Sequence, residues 1–155
     1  MRMFGITTIL LLTSAAIGLP TAAAQVPSAA TPEETVHAFH TALAAGDSAT
    51  ALALLAPDGV IFESGGVEAS RDEYRSHHLP ADMEFAQAVT REVTSQQSGS
   101  GGEVAWVLTE SRTVGTFRER PVHSRGVETM LLLRTLEGWR IAHIHWSSRR
   151  VPSDP

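Results

Sequence analysis

The chain has 155 residues, with 12 basic and 17 acidic side chains, a net charge of −5 and no cysteine. That length fits one domain with one core, and the acidic balance offers phosphates no electrostatic footprint, which argues against a nucleic-acid reader. Disulfides, thiol nucleophiles, Cys-ligated zinc and iron–sulfur clusters are excluded by composition.

Met1-Arg2, an apolar stretch from Met3 to Leu19 and the small residues Ala22-Ala23-Ala24-Gln25 form the three parts of a secretory signal peptide. Cleavage is expected after Ala24. Residues 1–24 therefore read as a signal peptide, 25–30 as a linker, 31–149 as the folded domain and 150–155 as a tail. Thr7, Thr8, Thr13, Ser14 and Gly18 interrupt the apolar stretch, whereas a spanning helix needs about 20 mostly apolar residues. The expected location is periplasmic or secreted, with no membrane anchor after cleavage.

Thr31-Pro32-Glu33-Glu34 supplies a capping Thr, a Pro at the first helical position and a Glu three residues past the cap, so a helix starts there. Val36, Phe39, His40 and Leu43 recur at helical spacing, and Gly46 stops the element. Asp47 caps a second helix to about Leu55, which Pro57-Asp58-Gly59 ends. Val60-Ile61-Phe62 reads as a short strand, followed by a turn at Gly65-Gly66. Ser70-Arg71-Asp72-Glu73 repeats the capping box and opens a third helix that stops at Leu79 or bends at Pro80. If it continues, Tyr74, His78, Ala81, Phe85 and Ala88 share one stripe. From Thr90 the period becomes two, and turn residues divide the rest into strands over 90–97, 103–118, 121–136 and 139–148. Three N-terminal helices packed on one face of a strongly curved antiparallel sheet, an α+β arrangement, is the expected architecture.

This order of elements, the last strand Gly138-Trp139-Arg140-Ile141-Ala142-His143-Ile144-His145-Trp146-Ser147-Ser148, Pro32-Glu33-Glu34 and Glu128-Thr129 carry a resemblance. The chain resembles the nuclear-transport-factor-2-like superfamily, in the SnoaL-like branch that is also similar to the calcium/calmodulin-dependent kinase II association domain. The resemblance spans about Thr31 to Arg149. It implies a cone-shaped fold with a pocket at its open end, a homodimer, and either small-molecule binding or isomerase, cyclase or dehydratase chemistry without a cofactor. Fold of this kind fixes a pocket and not a reaction. By spacing, Glu110, Met130 and Trp146 occupy pocket positions that are arginines in the kinase domain, so an anion-binding role does not carry over.

Strict alternation puts Trp139, Ile141, His143, His145 and Ser147 on one face of the last strand, and Arg140, Ala142, Ile144 and Trp146 on the other, of which only one lines the cone. The expected pocket takes its polar contacts from Glu110, His78 and Arg112. Tyr74, Phe85, Trp106, Leu108, Met130, Ile144 and Trp146 wall it, and Glu63 stands near its mouth. Such a pocket suits a neutral or cationic organic ligand. Glu110 is the candidate general base if there is chemistry, the alternative being a structural ion pair. His78, His143 and His145 form an alternative zinc or copper set, and His37 and His40 read as helix-end or pocket-wall residues. Tyr74, the only tyrosine, is not where a ketosteroid isomerase carries its key phenol, so that mechanism does not transfer. A pure assembly module is the remaining rival to small-molecule binding.

Overall fold

The capping signals define the first helices. The computed structural model describes residues 31–152; the expected signal peptide, the linker and the end of the tail lie outside the described residues. Helix α1 (Pro32–Ala45) begins with the complete capping box between Thr31 and Glu34 and ends at Gly46 in the left-handed conformation, φ 70°. Helix α2 (Ser48–Leu54) is capped by the Asp47 side chain, which accepts from the Thr50 N–H. Strand β1 (Leu55–Glu63) follows directly and turns back into the short edge strand β2 (Gly66–Glu68).

Pro80 decides the next element. The third expected helix is two: α3 (Arg71–His77), capped by Ser70, and α4 (Leu79–Ala88), with Pro in its first turn and His78 as the junction. A proline has no N–H for the preceding turn but suits a helix start, so the chain restarts instead of bending. Four long strands complete the domain: β3 (Val89–Gly101), β4 (Val104–Phe117), β5 (Arg120–Thr135) and β6 (Gly138–Arg150). Ser98–Gly101, expected as turn, is strand, paired with Val104–Val107.

The six strands form one strongly curved, unclosed sheet in the order β2-β1-β6-β5-β4-β3. The β3 to β6 meander is antiparallel as expected, but β1 runs parallel to β6. Helices α1 and α4 lie in the hollow of the sheet. The core fills one end of it: Val36 and Phe39 of α1, Leu54, Leu79, Ala105, Val107, Met130, Leu132, Ile141 and Ile144 are all at most 2% exposed. Burying a side chain such as Phe39 stabilises the fold by roughly 2–3 kcal/mol.

Two irregularities orient side chains. The β5–β6 register slips between Leu131 and Leu132, which pair with His143 and Ile141, leaving Ala142 as an extra residue. The bulge inverts the alternation: Trp139 and Ile141 face the core before it, Ile144 and Trp146 after it. His143 and His145 therefore lie on the outer face, and the expected grouping of Ile141 with His143 is corrected. At the α4–β3 corner, Gly115 pairs with Val89, and a Cβ on it would stand 2.8 Å from the Ala88 carbonyl oxygen.

Candidate functional site

Along the inward rows the residues become polar toward the open end, and each row ends in a small side chain. On β4 the buried positions run Ala105, Val107, Thr109, Ser111, Thr113. On β5, Leu132 and Met130 give way to Glu128, Gly126 and Ser124; on β6, Ile144 gives way to Trp146 and Ser148. Small side chains there cannot fill the hollow between sheet and helices. The result is a cavity of about 440 Å³ whose walls include His37, His40, Asp82, Phe85, Val89, Arg91, Ser111, Thr113, Glu128 and Trp146, with Glu63 at one side. That size suits a small organic molecule.

One row crosses the sheet where core meets cavity. Gln96 pairs with Thr109, Thr109 with Glu128, Glu128 with Trp146, and Trp146 with Glu63. Glu128 is its centre. Its side chain is 4% exposed, and Oε2 accepts from His40 Nε2 at 2.7 Å and from the Trp146 indole N–H at 2.6 Å. The Arg91 guanidinium stands 3.5 Å from Oε1. Burial pushes this carboxyl up, but the His40 hydrogen bond and the charges of His40 and Arg91, with the indole N–H, outweigh it and hold Glu128 below its ordinary value. The cavity thus carries an ionised, rigidly held carboxylate.

A second carboxyl faces the same cavity in a different state. Asp82 on α4 accepts a hydrogen bond at Oδ2 from the Tyr74 hydroxyl, 2.8 Å away, and Tyr74 is fully buried. Burial pushes Asp82 up to about 6; the Tyr74 hydrogen bond opposes this, and the Glu63 charge adds to it. Burial and the adjacent Asp82 push the Tyr74 phenol above its usual range, so it remains the donor. Two acids with pKa values driven apart in one cavity are suited to proton transfer.

The expected site residues divide among three places. Phe85, Trp146 and Glu63 line the cavity, as do His37 and His40. Met130 and Ile144 point inward on the same rows but are fully buried in the core. Tyr74 reaches the cavity only through Asp82. His78 is half-exposed at the α3–α4 junction, where its Nδ1 contacts Glu68 Oε1, and His77 Nδ1 lies 3.2 Å from Glu68 Oε2. Glu68 itself is buried, and His78 forms no part of the large cavity.

Glu110, Arg112, Trp106 and Leu108 require correction. They occupy the outer face of β4, exposed, with Glu110 paired to Val127 and Trp106 to Leu131. Alternation separates the two faces of β4, but the helices settle on the side of the smaller residues, and the larger ones remain outside. The expected cavity carboxylate is therefore Glu128, not Glu110. The proposed histidine metal set does not converge either. His143 Nδ1 donates to the Val60 carbonyl at 2.9 Å, His145 is exposed on the same outer face and His78 is bound to Glu68. Among the described residues, no group of three or more His, Cys, Asp or Glu side chains is arranged to hold a metal.

Glu128, Asp82 and Arg91 are the site residues that sequence reasoning missed. Signals existed for two of them. Glu128 is the single acid in the inward alternation Glu128, Met130, Leu132, and Asp82 falls on the helical stripe between His78 and Phe85.

Comparison with known proteins agrees with this architecture. The SnoaL-like domain model matches residues 33–151. A protein of Shewanella frigidimarina, provisionally named a ketosteroid isomerase, is 35% identical; the match covers 79% of this chain and 97% of that one, with a TM-score of 0.72. The S. rosetta CaMKII hub is 19% identical over 77% of this chain and 98% of its own, TM-score 0.64. A Xanthomonas campestris protein, provisionally named a calcium/calmodulin-dependent protein kinase II association domain, is 20% identical over 86% and 98%, TM-score 0.61. These last two likenesses show the fold alone. No protein of curated function matches the chain. With the family model covering the whole described domain and the inward rows building a cone with an open end, the chain belongs to the SnoaL-like domain family.

Proposed function

We propose that this is an exported, homo-oligomeric protein that binds a small organic molecule in the cavity beside Glu128. The observation that carries the reading is the buried, ionised Glu128 carboxylate on the wall of a 440 Å³ cavity where aromatic, aliphatic and hydroxyl side chains stand beside a few charged ones, Glu63, Asp82 and Arg91 among them. A buried charge is costly unless it is paired and hydrogen-bonded, and His40, Trp146 and Arg91 hold this one at the edge of the cavity. The signal-peptide pattern of residues 1–24 supports export. The outer sheet face supports self-association: Phe62, Trp106, Leu108, Val127, Leu131 and Leu133 are each 38–55% exposed on it, a contiguous apolar surface of the kind that marks an interface. The oligomeric kinase hubs among the structural neighbours are compatible with that.

Native mass spectrometry of protein purified from its own compartment tests the binding reading. A retained organic mass, released by Glu128→Gln, is the expected result; an empty protein that takes up no apolar probe would overturn it and leave assembly as the function. N-terminal sequencing of the same sample should begin at Gln25.

A second reading has its own observation. Asp82, titrating near 6 in the cavity and oriented by Tyr74, is suited to take a proton from a carbon beside a carbonyl and return it at another position, which is isomerase chemistry. The provisional name of the Shewanella relative points the same way. Turnover of a β,γ-unsaturated 3-ketosteroid to its conjugated isomer, rising with pH through about 6 and lost in Asp82→Asn, is what this reading requires. No turnover would leave binding alone.

A further inference from the structure

The charges on the cavity wall do not cancel everywhere. Glu128 is answered by Arg91 at 3.5 Å and by the hydrogen bonds of His40 and Trp146, and its Oε1 is sealed off. Glu63 of β1 stands on the other side of Trp146 from Glu128 in the same inward row, and Asp82 reaches the cavity from α4. Among the described residues the Glu63 side chain has no hydrogen-bond or ion-pair partner, and the one side-chain donor to Asp82 is the Tyr74 hydroxyl, on Oδ2. Asp82 Oδ1 and the Glu63 oxygens are open to approach, because the sealed side-chain atoms without a hydrogen bond among the described residues are Glu128 Oε1 and His123 Nδ1. Burial raises the Asp82 carboxyl, the Tyr74 hydrogen bond opposes this and the Glu63 charge adds to it; His78 and Glu68, in contact with each other, act in opposite directions. Arg91 lies on β3, with β6, β5 and β4 between it and the strand of Glu63. The other titratable groups on the wall are His37 and His40 of α1, the latter committed to Glu128.

We propose that the cavity takes a protonated primary organic amine, whose ammonium donates to Asp82 Oδ1 and Glu63 while its apolar body rests against Phe85, Ala86 and Trp146. An ammonium carries three N–H donors, enough for both carboxylates at once, and its charge offsets their mutual repulsion. A ligand carboxylate would add another negative charge to a wall that already carries Glu63, Asp82 and Glu128. A neutral alcohol brings one donor and no charge, so it can serve one acid and leaves the repulsion in place.

This inference rests on the cavity-binding reading, and the test separates the two. Naphthylethylamine, naphthylethanol and naphthylacetate, alike in ring and chain but cationic, neutral and anionic, are titrated into the full mature protein by calorimetry at neutral pH. The amine should bind about tenfold more tightly than the alcohol, the difference a charge-assisted hydrogen bond makes, and naphthylacetate should bind most weakly. Glu63→Gln and Asp82→Asn should each shrink the preference for the amine while the alcohol is retained. In the wild-type protein the amine's affinity should fall as pH drops through about 6, where Asp82 takes up its proton, and Asp82→Asn should remove that fall. A fall of the same size in Asp82→Asn would assign it to His37 and His40 and overturn the role given to Asp82.

Equal binding of amine and alcohol to the wild-type protein would overturn this proposal and leave the cavity reading standing. Tightest binding of naphthylacetate would overturn it in favour of an anion site. Failure of every probe to bind would overturn both. The wild-type series alone decides the charge of the ligand, so that result does not depend on either variant folding.

Discussion

Trp146 and Glu128 face each other across strands β5 and β6, and the indole N–H donates to the carboxylate at 2.6 Å. The indole also stacks on Phe39, with ring centroids 6.4 Å apart and planes 22° apart. The pair is thus the point at which the core of the cone ends and the cavity begins, and it ties the charge of the site to the packing of α1.

Trp146→Phe keeps an aromatic ring near Phe39 but leaves Oε2 with His40 as its one donor among the described residues. A loss of about 1–3 kcal/mol is expected at neutral pH, read from urea melts. The sign of its pH dependence follows from the lowered Glu128 value. The stabilisation is present above the unfolded-state carboxyl pKa and lost as pH falls through the folded one, so the difference between variant and wild type should shrink in acid. A difference that does not change with pH would mean that the lost stability is packing and not charge.

Asp82 has the opposite sign. Its carboxyl is raised from 3.8 to about 6, so the folded state binds a proton that the unfolded state has released over that window. The contribution is full below the unfolded value and is lost as pH rises to about 6. Asp82→Asn should remove this loss and stabilise the protein above that pH by about 1–3 kcal/mol, while leaving its stability at acid pH little changed. Thermal melts across the range would show it.

The outer face makes a separate prediction. Leu131 lies between Trp106 and His143 on that face, so Leu131→Glu should convert an oligomer to monomer in light-scattering chromatography without altering ligand affinity in the cavity. Glu110→Gln, on the same face, should likewise leave cavity binding unchanged. A fall in affinity with Glu110→Gln would reinstate it as a site residue.

Gly115 tests the corner beside the cavity. An added Cβ would lie 2.8 Å from the Ala88 carbonyl oxygen and 2.9 Å from Val89 Cα, both backbone atoms that cannot rotate away. Gly115→Ala should therefore cost about 1–3 kcal/mol and lower the melting temperature measurably.

Much of this was legible without coordinates. Thr31, Asp47 and Ser70 announce the helix starts because each side chain caps its own helix, and the change of period after Thr90 announces the strands because both signals are local. Register is a different matter. Ala142 carries no mark of a bulge, yet the slip there moves His143 and His145 to the outer face and keeps Ile144 and Trp146 inward.

The same division explains Glu110 and Glu128. Sequence by itself determined that alternate residues of β4 and β5 lie on opposite faces, that the third helix stops or bends at Pro80, and that the family is one of open cones. Only the tertiary structure decided which face is concave. That choice depends on where α1 and α4 pack, and they settle over Ala105, Val107 and Thr109 while Trp106 and Leu108 stay outside. Side-chain size on a strand does not reveal which side a helix will cover, because a helix needs room as well as apolar surface. The cavity and its charged wall are the consequence of that packing.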